Sequence, residues 1–517
     1  MENIRFFLFV PKKRLIYLLG LVILIGFSLR IFKLGTHDLW YDEVICVWVG
    51  ENLNHIYTGR HPPLFVILLQ AWTTYFGKSE FALRFLSVIF SVLSIYAIYK
   101  LGNLLFDKKT GLVGAVILSI SPIHIWYSQE VKGYTLLPFL IITAVYFYIK
   151  AFREDKVAFF WAGFILISTL SIYTNYIAFF ILPAGSLLLF LKRYRFLVKK
   201  WFIACSFILI FFLPWLPIFL KHVQGVRGIF WVPKPSFRSM LITFENFNVG
   251  YNATYLIYKF SMVIFLILFF YGIFRYLRER EKILPLLFFL FIPIILSFLI
   301  SQWMPIYIDR HLIAFSPFYY LIVAAGIVAI GNRLVKGLAC ILLTLVMATS
   351  LYNYYSDHVF LPEHNIGVFI KQPFKPAVEY IKQHYEKGDI FTHSNVGTIM
   401  PFVWYSTRFG GLRANYFDSE PQRFIFIPEA LDEYWLRASE FIMENLPDTI
   451  DLSQDDIIKN LSFKRIWFIQ ASWARDGNLD RDSLAVKEWM ETHLELLCDK
   501  EMDGLLISLF QRKKDLQ

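Results

Sequence analysis

Between residues 14 and 352 the chain returns eleven times to an apolar run of about the length that crosses a bilayer. The runs fall at roughly 14–34, 84–105, 110–128, 134–152, 157–173, 176–191, 201–220, 255–274, 283–301, 311–331 and 335–352. A helix needs about 20 largely apolar residues to span the hydrocarbon core. In lipid every backbone N–H and C=O must be satisfied inside the segment, so such runs must be helices. Composition agrees. Of the 517 residues 57% are hydrophobic and 18% charged, with a mean hydropathy of +0.52. A soluble domain carries roughly 25% charge. An ordinary soluble enzyme, a disordered chain and a collagen-like fibre are excluded.

The net charge is +11, and it is unevenly spread. Residues 1–352 hold 33 Lys/Arg against 14 Asp/Glu, while residues 353–517 hold 18 against 26. The basic residues lie between apolar runs, so they speak for membrane topology rather than nucleic acid. The short run 62–77 (PPLFVILLQAWTTYFG) decides the orientation. If it lies along the outer face, the inner segments hold about 19 Lys/Arg in about 44 residues, and the outer loops about 9 in about 100, as the positive-inside rule requires. The expected protein is therefore a polytopic α-helical membrane protein with about 11 transmembrane helices and a long first outer loop. Its N-terminus is cytoplasmic, and the first run is a retained anchor, since no small-residue cleavage site follows it. The expected domains are 1–352, the membrane part, and 353–517, an extracytoplasmic α/β accessory domain. In the latter, KPAVEYIKQHYEKGD and 482–494 read as helices, and 390–393, 424–427, 465–471 and 505–510 as strands. The four cysteines (Cys46, Cys205, Cys340, Cys498) show no metal or disulfide spacing.

Acids gather in the outer loops of this basic half. HDLWYDEV (37–44) places Asp42 and Glu43 side by side just after the first span. Adjacent carboxylates repel unless a cation or proton compensates, and such a pair can act as a base or bind a divalent cation. The plain alternative is a solvated loop beside an aromatic belt. In GRHPPL, His61 precedes two prolines, which hold it in an extended conformation. In SEFALRF, Glu80 and Arg84 stand i, i+4, and Arg84 can also reach a lipid phosphate. SPIHIWYSQEVKGY (121–134) brings His124, Glu130, Lys132 and Tyr134 to the same side. A Lys beside a carboxylate suits a phosphate, and a snorkelling Lys is the plain alternative. YIDRHLIAFSP (307–317) opens the tenth span with Asp309, Arg310 and His311, and Arg is the better bidentate phosphate ligand. NAT (252–254) and NLS (460–462) fit the N-glycosylation pattern. The stretch 221–254 is expected to cover the outer groove, with a plain connector as its rival.

LWYDE, HPPL, SEFALR, SPIHIWYSQEVKGY and RHLIAFSP, in this order over about residues 14–330, make the chain resemble a known family. It is the dolichyl-phosphate-mannose–protein mannosyltransferase-like membrane glycosyltransferases (glycosyltransferase family 39), which include relatives of the lipid A aminoarabinose transferase. The resemblance implies a GT-C fold and transfer of a sugar from a polyprenyl-phosphate-linked donor on the non-cytoplasmic face. It maps the family's acidic motif onto Asp42 and Glu43, and the loop after the third span onto Glu130 and Lys132. Many relatives have Arg where this chain has Lys132, and Arg-Tyr where it has Arg310-His311. The implied chemistry makes Asp42 the base for an acceptor hydroxyl, with an oxocarbenium-like transition state and inversion. Lys132 and Arg310, then Arg84 and Arg227, would stabilise the leaving phosphate. His61, Glu130, Tyr134, His124 and His311 would line the substrate site. Asp42, Glu43 and Glu130 would suit a divalent cation, Mg or Mn. The implied partners are the donor lipid, a protein, lipid or glycan acceptor, and the bilayer of a bacterial or archaeal plasma membrane. The rival reading is a lipid or solute transporter or flippase without transferase activity. The absence of an internal repeat and the gathering of charge at one face speak against it.

Overall fold

The computed structural model describes residues 12–51, 56–57, 62–152, 157–226, 232–358, 364, 371–386, 389–393, 396–408, 424–426, 449–451, 464–471 and 481–513. They form two compact units. One comprises 1–34, 49–228 and 232–366, and the other 35–48, 229–231 and 367–517.

In the first unit all eleven apolar runs are helical. Among the described residues seven helices are long and apolar enough to cross a membrane, from Arg14–Ile31 to Arg333–Tyr355. An eighth candidate is a pair, Lys108–Ser119 and Pro122–Ser128, bent by 59°. The break has a local cause. Pro122 pushes Ser121 to an extended conformation (ψ 117°), ending one helix and starting the next. Leu64–Phe76, Leu136–Ala151, Ala158–Ile172 and Tyr176–Leu188 are shorter apolar helices.

Caps fix where several helices begin. Ser79 accepts from the Ala82 N–H at the head of Glu80–Leu105, and Asp107 from the Thr110 N–H at the head of Lys108–Ser119. Small residues let helices touch. A Cβ on Gly102 would stand 2.7 Å from the Gly111 Cα, and one on Gly326 would stand 2.1 Å from the Leu268 carbonyl oxygen. Arg30 is fully buried and wholly spent on structure. It donates to Ser91 Oγ (2.7 Å) and to the carbonyls of Gly26, Leu118 and Ser119. Two of those carbonyls lie at the C-terminal end of Lys108–Ser119, where no intrahelical partner exists. The stretch 221–254 is less of a loop than its sequence implies, since residues Phe237–Val249 form a helix whose second half is buried. Asn252 of the NAT pattern is buried too, and its amide donates to the His358 carbonyl. That geometry leaves no room for a glycan. NLS at 460–462 lies outside the described residues.

The second unit is built on a six-stranded mixed sheet of order β3-β2-β1-β4-β6-β5. Its strands are β1 (Ile390–His393), β2 (Phe424–Phe426), β3 (Thr449–Asp451), β4 (Arg465–Ala471), β5 (Leu494–Met502) and β6 (Leu505–Arg512). The first four pair in parallel, and β6 pairs antiparallel with both β4 and β5. β4 is almost wholly buried, as a central strand should be. The Asp503-Gly504 turn joins β5 to β6, with Gly504 at φ +82°. Helices Phe374–His384, Val396–Arg408 and Arg481–His493 complete the described part.

Candidate functional site

In the first unit the loop after the bent pair, the head of helix Glu80–Leu105 and the head of the tenth span converge. Ser87, on helix Glu80–Leu105, ties down the loop after the bent pair. Its hydroxyl donates to the Glu130 carbonyl (2.6 Å), and its own carbonyl accepts from Thr135 (2.8 Å). Gln129 holds the same loop from the other side. Its amide donates to the carbonyls of Arg30 and Phe32, and its oxygen accepts from the Tyr354 hydroxyl (2.6 Å). The loop is thus fixed by three helices before any ligand arrives, which is the preorganisation that charge stabilisation needs.

This loop presents Glu130 and Lys132, both about 4% exposed. The Glu130 carboxylate accepts from the Trp126 indole (3.0 Å). Arg84 is buried and donates to the Leu34 carbonyl (3.1 Å). The Arg310 guanidinium lies 5.8 Å from the centre of the Tyr134 ring, and the His311 ring lies 6.0 Å from it. His311 is within electrostatic reach of both Arg310 and Lys132, and Tyr354 within that of both Glu130 and Arg84. Tyr251 joins the set. Its hydroxyl bonds Tyr127 (2.7 Å), and burial and then the Asp309 charge hold its phenol protonated well above the ordinary range. Three cations, two carboxylates (Glu130 and Asp309) and several phenols therefore share one neighbourhood. Such a set can bind a phosphate and stabilise charge developing on it.

A second polar chain lies on helix Phe237–Val249. Asp309 accepts from Thr243 Oγ1 (2.6 Å) and from the Asn246 amide (2.5 Å). The Asn246 amide also donates to the His364 carbonyl, and the Glu245 carboxylate bonds His364 Nε2 (2.8 Å) and Lys259 Nζ (2.6 Å). Burial pushes the Glu245 carboxyl up, but the bonds from His364 and Lys259 outweigh it and hold it below the ordinary value. The His364 ring stacks on Tyr258 at 3.8 Å.

Asp42 and Glu43 belong to the second unit, and they sit in the first turn of a helix (Tyr41–Glu51) rather than in a loop. Glu43 is fully buried. Its carboxylate takes the Trp40 N–H (3.4 Å), the reciprocal half of a capping box, and lies 3.9 Å from Lys371 Nζ. Asp42, one residue earlier, is half-buried. An acid at a helix N-terminus is favoured by the exposed N–H groups there. Asp38 accepts from the Lys375 N–H (2.7 Å), and Tyr405 accepts from the Leu39 N–H (2.7 Å), so the approach to this turn is held firmly.

Of the residues singled out from sequence, Arg84, Glu130, Lys132, Tyr134, Arg310 and His311 come together. His124 is fixed elsewhere in the core, with its Nε2 bonded to Ser316 Oγ at 2.8 Å. His61 and Arg227 lie outside the described residues. Sequence reasoning passed over Ser87, Gln129, Tyr251, Tyr354 and His364. Gln129 lies inside the 121–134 motif but is uncharged beside Glu130 and Lys132, and the others carry no motif of their own, so only the fold brings them in. Among the described residues no group of three or more His, Cys, Asp or Glu side chains is arranged to hold a metal ion.

Residues 60–218 match the family model of the dolichyl-phosphate-mannose-protein mannosyltransferases. No curated protein sequence matches the chain. Among solved structures, ArnT from Cupriavidus metallidurans bound to undecaprenyl phosphate superposes with a TM-score of 0.61. The identity is 10%, and the match covers 95% of this chain and 97% of that one. The apo state of ArnT from the same organism gives a TM-score of 0.57 and 11% identity over the same shares. The chain is thus similar in sequence to these mannosyltransferases over residues 60–218, and along 95% of its length it shares the fold of ArnT.

Proposed function

We propose that the chain moves a sugar from a polyprenyl-phosphate-linked donor to an acceptor on the non-cytoplasmic face, with inversion at the anomeric carbon. The observation that carries this reading is the gathering of Lys132, Arg310 and Arg84 around Glu130 and a shell of phenols. The lipid phosphate bound by the similarly folded ArnT is the ligand such a set suits. A phosphate leaving group is a weak base and needs no general acid, only cations that meet its growing charge. Lys132 and Arg310 take that role first, and Arg84 and Arg227 second. Asp42 accepts the proton of the attacking hydroxyl, and Glu43 holds the turn that carries it.

The test follows release of polyprenyl phosphate from a panel of polyprenyl-phosphate sugars by the purified chain in lipid. Wild type should release it, and a folded Asp42→Asn variant should lose at least a hundredfold in rate. An unimpaired Asp42→Asn would remove Asp42 from the mechanism. Absence of both release and donor binding would favour the transport reading. Charge stabilisation is assigned to side chains, so release should survive EDTA. Loss restored by Mg or Mn would instead make the reaction metal-dependent.

A further inference from the structure

Two lysines outside the phosphate-binding set converge on one aromatic ring. Lys100, on helix Glu80–Leu105, and Lys150, on helix Leu136–Ala151, each hold their ammonium 6.0 Å from the centre of the Tyr146 ring. Lys150 also lies 5.7 Å from the centre of the Phe160 ring, on helix Ala158–Ile172. A tyrosine face attracts a cation, but two cations at one ring repel each other. A lysine near the end of a span ordinarily stretches its stem toward water. Here two stems from different helices bring their charges together instead. Among the described residues the Lys100 ammonium meets no carboxylate, and neither it nor the Tyr146 hydroxyl has a hydrogen-bond partner.

An apolar seam runs away from the two charges. Leu93, Tyr96 and Lys100 share one face of their helix, and Leu93 and Tyr96 are 39% and 47% exposed. On the neighbouring helix Phe139, Thr143, Tyr146 and Lys150 share a face too, all half-buried. The two helices pack together, and Phe90 stacks on Phe139 at 6.3 Å, which closes the far end of the seam. From Phe90 to Lys100 the helix rises about 15 Å. That is half of the hydrocarbon core of about 30 Å, the depth of one leaflet. The seam therefore has a cationic head and one leaflet's length of apolar wall.

Its place sets it apart from the transfer chemistry. Ser87, which holds the Glu130 carbonyl, lies on the same helix as Lys100 and about 20 Å along the axis from it. A donor lipid with its phosphate at Lys132 cannot bring that phosphate here as well. These helix ends lead into 106–110 and 153–156, which the charge distribution puts on the inner side.

We propose that this seam binds an anionic glycerophospholipid of the inner leaflet, with its phosphate on Lys100, Lys150 and the Tyr146 hydroxyl. One acyl chain runs down the seam past Tyr96 and Leu93 to the Phe90–Phe139 stack. The phosphate accepts from both ammonium groups and from the phenol, and its charge offsets the repulsion between the two lysines. Basic pockets between spans on the inner side suit such headgroups. The bound lipid is a component of the bilayer, so the proposal stands apart from the transferase reading.

The test uses the purified full chain in phosphatidylcholine nanodiscs doped with a lipid that carries a photoactivatable group on its acyl chain. The probe is either phosphatidylglycerol or phosphatidylcholine, and labelled peptides are mapped. Residues 93–100 and 139–150 should be labelled roughly tenfold more by the phosphatidylglycerol probe. Lys100→Gln combined with Lys150→Gln should lower that labelling to the phosphatidylcholine level. Lys199→Gln combined with Lys200→Gln, on exposed residues of another inner segment, should leave it unchanged. Lys100→Gln alone serves if the first double variant unfolds, with thermal melting as the check. Equal labelling of wild type by the two probes overturns the site. An equal loss in the Lys199 and Lys200 variant reduces the effect to diffuse positive charge and also overturns it. Displacement of the probe by undecaprenyl phosphate but not by unlabelled phosphatidylglycerol overturns the choice of occupant.

Discussion

Lys132 and Arg310 are both cations within electrostatic reach of His311, yet they should fail differently when changed. Lys132→Met removes a charge from a loop that Ser87 and Gln129 hold in place, so no other cation moves into its position. Transfer should fall by about a hundredfold or more, with the melting temperature held. Arg310→Lys keeps the charge but loses the planar fork and its position over Tyr134, for roughly a tenfold loss. Steady-state rates with a fixed donor check both, and equal losses would mean the fork has no role. At this scale the sequence was legible wherever chemistry was concentrated in a motif. It read Asp42 and Glu43 as one pair. The structure separates them, with Glu43 buried against the Trp40 N–H and Asp42 half-buried at the helix start. Adjacency in sequence says nothing about which of two acids turns inward.

Helices were legible because their apolar length is a physical necessity, and their ends were legible wherever a cap was present. Their packing was not. Gly326 and Gly272 read as two more small residues in apolar runs, but a Cβ on Gly326 meets the Leu268 backbone at 2.1 Å. Gly326→Ala should therefore cost roughly 1–3 kcal/mol by forcing the helices apart. Gly337→Ala, with nothing within 4 Å, should cost nothing measurable. Thermal unfolding of the two variants side by side checks this, and equal melting would deny the close contact. In the second unit the strand Leu494–Met502 escaped notice. Most of its side chains are exposed and four are charged, which is how an edge strand avoids pairing with a stranger.

The whole chain should be acid-labile in two stages. Burial pushes the His393 imidazole from 6.5 down to about 3. Above pH 6.5 it is neutral folded or unfolded. As pH falls from 6.5 toward 3 the unfolded chain takes the proton first, so stability drains across that window. Glu245, held below its ordinary 4.5, contributes fully above that value and loses its contribution as pH falls through its folded pKa. Melting temperatures from pH 8 to 4 should decline from about 6.5 downward, and His393→Leu should flatten the first stage. An unchanged slope in that variant would remove His393 as the cause. The charge asymmetry makes its own prediction. Alkaline phosphatase fused after Gln517 should be active and a cytoplasmic reporter there silent, and the reverse would invert the orientation. The 59° bend between Lys108–Ser119 and Pro122–Ser128 also bears on where a ligand is met. Had those helices run straight, the seven residues of the second would have carried the Glu130–Lys132 loop about 10 Å along the axis, and the bend roughly halves that advance. The loop is set back by about 5 Å, less than the width of a lipid headgroup layer. For the proposed lipid-linked donor, a loop set back toward the bilayer would be met without lifting the donor clear of its neighbours.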